Sequence, residues 1–156
     1  MKRLLILLTV TATGFLLLAG TVAVAKTLAC GGGACYGTNN SDTMYGSSKR
    51  DVMYGLRGGD VMRGNGGNDY INGDGGRDRL TGGRGDDTLA GAKGDDALNG
   101  GSGNDTLNGG NGNDRVEAAD GMKDRINCGN GTRDVVIFDR GLDVVNFDSC
   151  EIRYPR

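Results

Sequence analysis

From Gly37 to Glu117 the chain repeats itself every nine residues in one unbroken register. An aspartate holds the sixth place of every unit: Asp42, Asp51, Asp60, Asp69, Asp78, Asp87, Asp96, Asp105 and Asp114. Two places later stands an apolar residue: Met44, Met53, Met62, Ile71, Leu80, Leu89, Leu98, Leu107 and Val116. Glycine opens each unit, from Gly37 to Gly109, and recurs at the fourth place as Gly58, Gly67, Gly76, Gly85, Gly94, Gly103 and Gly112. No such unit can fold alone. Burying one Leu or Met contributes about 1.5–3 kcal/mol, whereas ordering each residue costs about 1.5 kcal/mol. The units must therefore stack, each burying its apolar residue against its neighbours.

The rest of the unit says how. Glycine tolerates positive φ, so a loop with glycine at its first and fourth places can curl tightly and turn its carbonyls inward. The residues after the aspartate make a very short strand, whose apolar residue points one way and its neighbours the other. Stacking brings the aspartates into columns, where like charges repel unless a cation lies among them. Calcium takes six to eight oxygen ligands, commonly carboxylates and backbone carbonyls. One curled loop offers about half such a shell and a second stacked loop the rest, so metal binding and folding are expected to be coupled.

Gly82-Gly83-Arg84-Gly85-Asp86-Asp87, Gly100-Gly101-Ser102-Gly103-Asn104-Asp105 and Gly109-Gly110-Asn111-Gly112-Asn113-Asp114 match the full pattern G-G-x-G-x-D-x-U-x, with U apolar. This nonapeptide resembles the RTX, or haemolysin-type, calcium-binding repeat. The resemblance implies an all-β fold, a right-handed parallel β-roll in which two units make one turn. It places each calcium ion between loops on the same side, so between one unit and the next but one. Carried over, one column holds Asp60, Asp78, Asp96 and Asp114, and the other Asp51, Asp69, Asp87 and Asp105. The implied calcium ligands are Asp60, Asp69, Asp78, Asp87, Asp96, Asp105 and Asp114, with the seven fourth-place glycines in the binding loops. The first two units, carrying Asn40 and Lys49 at the fourth place, are left out of that set.

Beyond residue 117 the period slips to ten at Asp124 and Asp134 and returns to nine at Asp143, with Ile126, Val136 and Val145 as apolar partners. Residues 118–156 are read as irregular coils ending in a cap, because a stacked array must close its open end. Residues 26–36 are read as a cap at the other end, and 37–117 as the calcium-binding repeats.

Met1-Lys2-Arg3, the apolar run Leu4–Leu18 and Ala23-Val24-Ala25 before Lys26 make residues 1–25 a secretory signal peptide. The expected protein is therefore secreted and extracellular, with no membrane span in the mature chain. The alternatives are a transmembrane anchor over 4–25, and a lipoprotein cut before Cys30, where Thr27 stands in place of the usual leucine. The RTX family's usual export signal is carboxy-terminal, and this chain departs from that. Without Lys2 and Arg3, sixteen basic residues face twenty acidic ones and form no basic cluster, which argues against a nucleic-acid partner. Export makes disulfides plausible for Cys30, Cys35, Cys128 and Cys150. Of the three possible pairings, sequence proximity favours Cys30–Cys35 and Cys128–Cys150.

The chain has no histidine, which removes Ser-His-Asp, Cys-His and His-zinc chemistry. With 26–36 alone ahead of the repeats, no catalytic domain is expected, and the periodic aspartates read as ligands rather than catalytic pairs. Expected, then, is a non-catalytic secreted calcium-binding protein. The alternative is a calcium-dependent accessory or targeting subunit of an extracellular enzyme, toxin or adhesin, for which no particular protein partner is indicated. Thr43, Tyr45, Val52, Tyr54 and Val61 make the outer face of the early units more apolar than that of later ones. That face is either a partner-binding patch or plain strand preference, covered by the Cys30–Cys35 segment.

Overall fold

The computed structural model describes residues 26–155. The signal-peptide reading concerns residues 1–25, which lie outside that range. Fifteen strands alternate between two parallel sheets. The first sheet runs β1 (Thr27–Ala29), β3 (Thr43–Tyr45), β5 (Val61–Gly66), β7 (Arg79–Arg84), β9 (Ala97–Ser102), β11 (Arg115–Glu117), β13 (Val135–Phe138) and β15 (Ile152–Pro155). The second runs β2 (Ala34–Tyr36), β4 (Val52–Tyr54), β6 (Tyr70–Asn72), β8 (Thr88–Lys93), β10 (Thr106–Asn111), β12 (Arg125–Asn130) and β14 (Val144–Val145). Every strand pairs with those two before and after it, never with its sequence neighbour, so the chain winds through about seven turns of a β-solenoid. The described residues contain no helix.

The nine-residue period produces this winding. Each unit supplies one strand and one loop, and the next unit crosses to the other sheet. The apolar residues consequently form two ladders facing each other. One is Leu28, Met44, Met62, Leu80, Leu98, Val116 and Val136. The other is Cys35, Met53, Ile71, Leu89, Leu107, Ile126 and Val145. From Met44 to Val116 these side chains are at most 2% exposed. Along a long strand the inward positions alternate: in β10, Leu107 and Gly109 face in while Thr106 and Asn108 face out. The first-place glycine is thus an interior residue, not a surface turn.

Residues 26–36, expected as a capping segment, form a coil in their own right. β1 and β2 continue the two sheets, with Leu28 and Cys35 in register with Met44 and Met53. They stack on the end of the roll and do not cover its outer face. A disulfide joins Cys30 to Cys35 across the turn between the sheets. It occupies the sulfur that a lipid anchor on Cys30 would need. At the other end, residues 118–155 restore register after longer loops. Ala118, Cys128 and Phe138 fill the interior positions that glycine holds in the repeats. Cys128 is bonded to Cys150, closing the last coils.

Candidate metal centres

Each aspartate sits where its loop becomes a strand. Its backbone is fixed by the sheet: the Asp60 carbonyl accepts from the Arg79 amide at 2.8 Å, and the Asp78 carbonyl from the Ala97 amide at 2.9 Å. Its side chain turns inward. Eleven of these aspartates, from Asp42 to Asp134, are no more than 3% exposed. One carboxylate oxygen, Oδ1, accepts the amide of the aspartate one coil earlier. Asp42, Asp60, Asp78 and Asp96 donate in this way to Asp60, Asp78, Asp96 and Asp114, at 2.7–2.8 Å. Asp51, Asp69 and Asp87 donate to Asp69, Asp87 and Asp105, each at 2.8 Å. The aspartates form two columns, one on each side of the roll.

The columns run beyond the repeats. The Asp114 amide donates to Asp134, and the Asp134 amide to Glu151. In the other column, Asp105 donates to Asp124 and Asp124 to Asp143. These four acidic residues were not counted as ligands in the sequence, because the spacing slips. The signal that marks three of them is the apolar residue two places on: Ile126, Val136 and Val145.

The second oxygen, Oδ2, has no hydrogen-bond partner in Asp60, Asp69, Asp78, Asp87, Asp96, Asp105, Asp114, Asp124 and Asp134, although it is buried in each. In the seven units from Asp60 to Asp114 it points at the first-place glycine of its own unit. A methyl group on Gly64 would collide with Asp69 Oδ2 and lie 2.7 Å from the Gly82 carbonyl oxygen; on Gly73 it would collide with Asp78 Oδ2 and lie 3.0 Å from that of Gly91. Two kinds of oxygen, an orphaned carboxylate and a carbonyl one coil on, thus face one small space that only glycine leaves open. The fourth-place glycines shape the loop outside it. Gly94 has φ +130°, donates to the Asn111 carbonyl at 2.8 Å, and stacks directly on the Gly76 carbonyl. Among the described residues, no three acidic, cysteine or histidine side chains converge on one point. A cation placed in that small space would draw on the facing backbone carbonyl as well as the carboxylate.

A family model for the RTX calcium-binding nonapeptide repeat matches the chain in four copies, over residues 36–71, 54–89, 63–98 and 90–121. Together these span more than half of the chain. The chain belongs to the RTX calcium-binding repeat family. No curated protein sequence matches it. The residues present fit calcium, a hard cation that takes carboxylate and carbonyl oxygens and tolerates irregular shells. When bound, calcium supplies the positive charge that the columns lack. Asp60, Asp69, Asp78, Asp87, Asp96, Asp105 and Asp114 would hold it, and Asp124 and Asp134 present the same orphaned oxygen.

The electrostatics of the RTX columns agree with that demand. Burial, opposed by the amide of the preceding aspartate and reinforced by neighbouring carboxylates, pushes Asp78, Asp87 and Asp124 up to about 7. The same causes push Asp60, Asp105 and Asp114 up to about 6. Asp51 is the exception. Burial raises it, but hydrogen bonds from Ser47 and from the Gly32 amide outweigh that, and it lies below its ordinary value.

The first two RTX units differ for a reason other than their missing fourth-place glycines. Their second places are Thr38 and Ser47. The Thr38 amide and hydroxyl both donate to Asp42 Oδ2, and the Ser47 amide and hydroxyl both donate to Asp51 Oδ2. In the next seven units the second place has φ between +66° and +123°, at Leu56, Asn65, Asp74, Gly83, Ala92, Gly101 and Gly110. Thr38 and Ser47 are not left-handed. The loop they adopt satisfies the aspartate with a hydroxyl and an amide in place of a cation.

Proposed function

We propose that this calcium-binding β-roll is a secreted, non-catalytic protein whose folding is coupled to calcium. The observation that carries the reading is the set of nine buried carboxylate oxygens without partners. A buried charge is tolerated when it is paired or coordinates a metal, and these orphaned oxygens, two to a coil through the repeats, oppose the fold coil after coil. The core that must outweigh this is thin, one apolar side chain per strand. Calcium removes the opposition at each level of the stack, so metal and fold stand or fall together. Secretion is supported by the leader-like residues 1–25 and by the two disulfides. A non-catalytic role is supported by the absence of histidine and by the commitment of the buried aspartates to the columns.

The test is a calcium titration of the purified mature chain, followed by circular dichroism and calorimetry. Excess chelator should remove the β signal, and calcium should restore it. A spectrum unchanged by chelator would sink the coupling.

A second reading, an accessory or targeting subunit of an extracellular enzyme, toxin or adhesin, draws on one surface feature. Tyr36 stacks on Tyr54 with ring centroids 5.2 Å apart, and Tyr54 contacts Tyr70 at 5.8 Å, while Tyr36 remains 59% exposed. Exposed aromatic surface is enriched at protein interfaces. Co-purification of a second chain that is lost on Tyr36→Ser would favour this reading.

A further inference from the structure

We propose that cutting the Ala25–Lys26 bond makes the Lys26 nitrogen a charged cap on the first aspartate column, so that processing completes the amino-terminal end of the fold. This rests on the signal-peptide reading above. The Lys26 nitrogen lies 3.0 Å from Asp42 Oδ1. Asp42 is 2% exposed, and its other oxygen takes the Thr38 amide and hydroxyl. All three donors in the uncut chain are neutral. The one ion pair among the described residues is Arg115–Glu117, far along the roll. Asp42 is therefore a buried carboxylate without a counter-charge, and Thr38 occupies the oxygen that a cation takes from the later aspartates.

Hydrolysis of that bond changes the donor. Water adds across the peptide under a leader-removing endopeptidase. The hydroxyl goes to Ala25 and one hydrogen to the Lys26 nitrogen; the new carboxyl group then gives up its proton and the amine takes one, leaving a carboxylate on the departing leader and an ammonium at Lys26. An α-amino group with an ordinary pKa of about 7.7–8.0 is mostly protonated at neutral pH. One neutral amide hydrogen becomes an ammonium beside a carboxylate, and a charge-assisted bond of this kind is about twice as strong as a neutral one. The position is held independently of the charge, because the Thr43 amide donates to the Lys26 carbonyl at 2.9 Å, fixing β1 against β3. The second column has no such device. There Asp51 Oδ1 takes the Gly32 amide at 2.7 Å, a group inside the chain that processing cannot alter.

The test compares three secreted proteins made with the same leader: the natural chain, a chain with one glycine inserted between Ala25 and Lys26, and Asp42→Asn. Intact mass and amino-terminal sequencing fix where each begins. The natural protein should begin at Lys26. In calcium, the insertion should speed hydrogen exchange at the Thr43 amide by about fivefold, leaving the Ala97 amide in the central coils unchanged. In the Asp42→Asn background the insertion should have no further effect. Should Asp42→Asn fail to fold, selective acetylation of the α-amino group of the natural protein replaces it and should reproduce the insertion's effect. A natural chain that begins elsewhere overturns the proposal together with the assigned cleavage site. A chain that begins at Lys26 but exchanges identically with and without the inserted glycine overturns the proposal alone.

Discussion

The Ser47 hydroxyl lies 3.0 Å from Asp51 Oδ2, occupying the carboxylate oxygen that goes without a partner in the next seven repeats. The hydroxyl gives Asp51 the partner that a cation would give the later aspartates. Ser47→Gly removes the hydroxyl and permits the left-handed second place of the later loops. In chelator the variant should lose about 1 kcal/mol of stability in the amino-terminal coils. Its calcium stoichiometry, read by titration calorimetry, should rise. An unchanged stoichiometry would show that the hydroxyl is not what keeps the cation out.

The opposite substitution belongs in the middle of the array. Asp96 has a well-formed loop above and below it and an orphaned Oδ2. Asp96→Ala should lower calcium affinity about tenfold or more, the equivalent of one lost charge-assisted contact. Asp42→Ala should leave affinity nearly unchanged, because Thr38 already satisfies that side chain. Equal losses from the two changes, measured in the same titration, would contradict the ranking.

Acid should partly replace the metal. Asp60, Asp78, Asp87, Asp105, Asp114 and Asp124 lie at about 6 to 7 in the folded chain, against about 3.9 for an unfolded aspartate. Between those values the folded, metal-free chain binds more protons than the unfolded one. Its stability therefore falls as pH rises through that window and recovers as pH drops. In chelator, circular dichroism should show more β structure at pH 5 than at pH 8. Calcium affinity should move the other way, weakening as protons compete for the same oxygens. Loss of β structure on acidification in chelator would reverse the assignment of sign.

Gly94 tests the loop wall. Its φ of +130° is one that L side chains rarely adopt, and an added methyl would meet the Gly76 carbonyl oxygen and carbon head-on. Gly94→Ala should destabilise the calcium-loaded roll by more than about 1 kcal/mol. Thermal melting in saturating calcium measures it, and a melting point equal to that of the natural chain would refute the assigned stacking.

Much of this was legible because the repeat is strict. A period of nine with two units per turn places Met62 against Met44 and Leu80, and aligns the aspartates, without further information. The cysteine pairs were also legible, since each is close in sequence at one end. The parts that were not legible are departures from the period. Leu28 precedes Met44 by sixteen residues while Cys35 precedes Met53 by eighteen, so the first coil carries no nonapeptide signature. Asp124 and Asp134 rejoin their columns because their loops absorb the extra residues, which spacing alone does not reveal. Asn40 and Lys49 set the first two units apart in the sequence. Thr38 and Ser47 were in plain view, but only the folded loop shows their hydroxyls turned onto the aspartates.

Because successive units cross from one sheet to the other, the quantum of change along this chain is eighteen residues, not nine. Removing eighteen from the central repeats shortens the roll by one layer of about 4.8 Å and leaves every later residue on its own side. Removing nine carries everything downstream through half a turn. The tyrosines of β4 and β6 would then look out from the side opposite Asn108 and Asn127, and each aspartate would join the other column. Related chains of different length should therefore differ by whole turns, and a pattern displayed on one outer face can be lengthened or trimmed without disturbing its mirror position on the other.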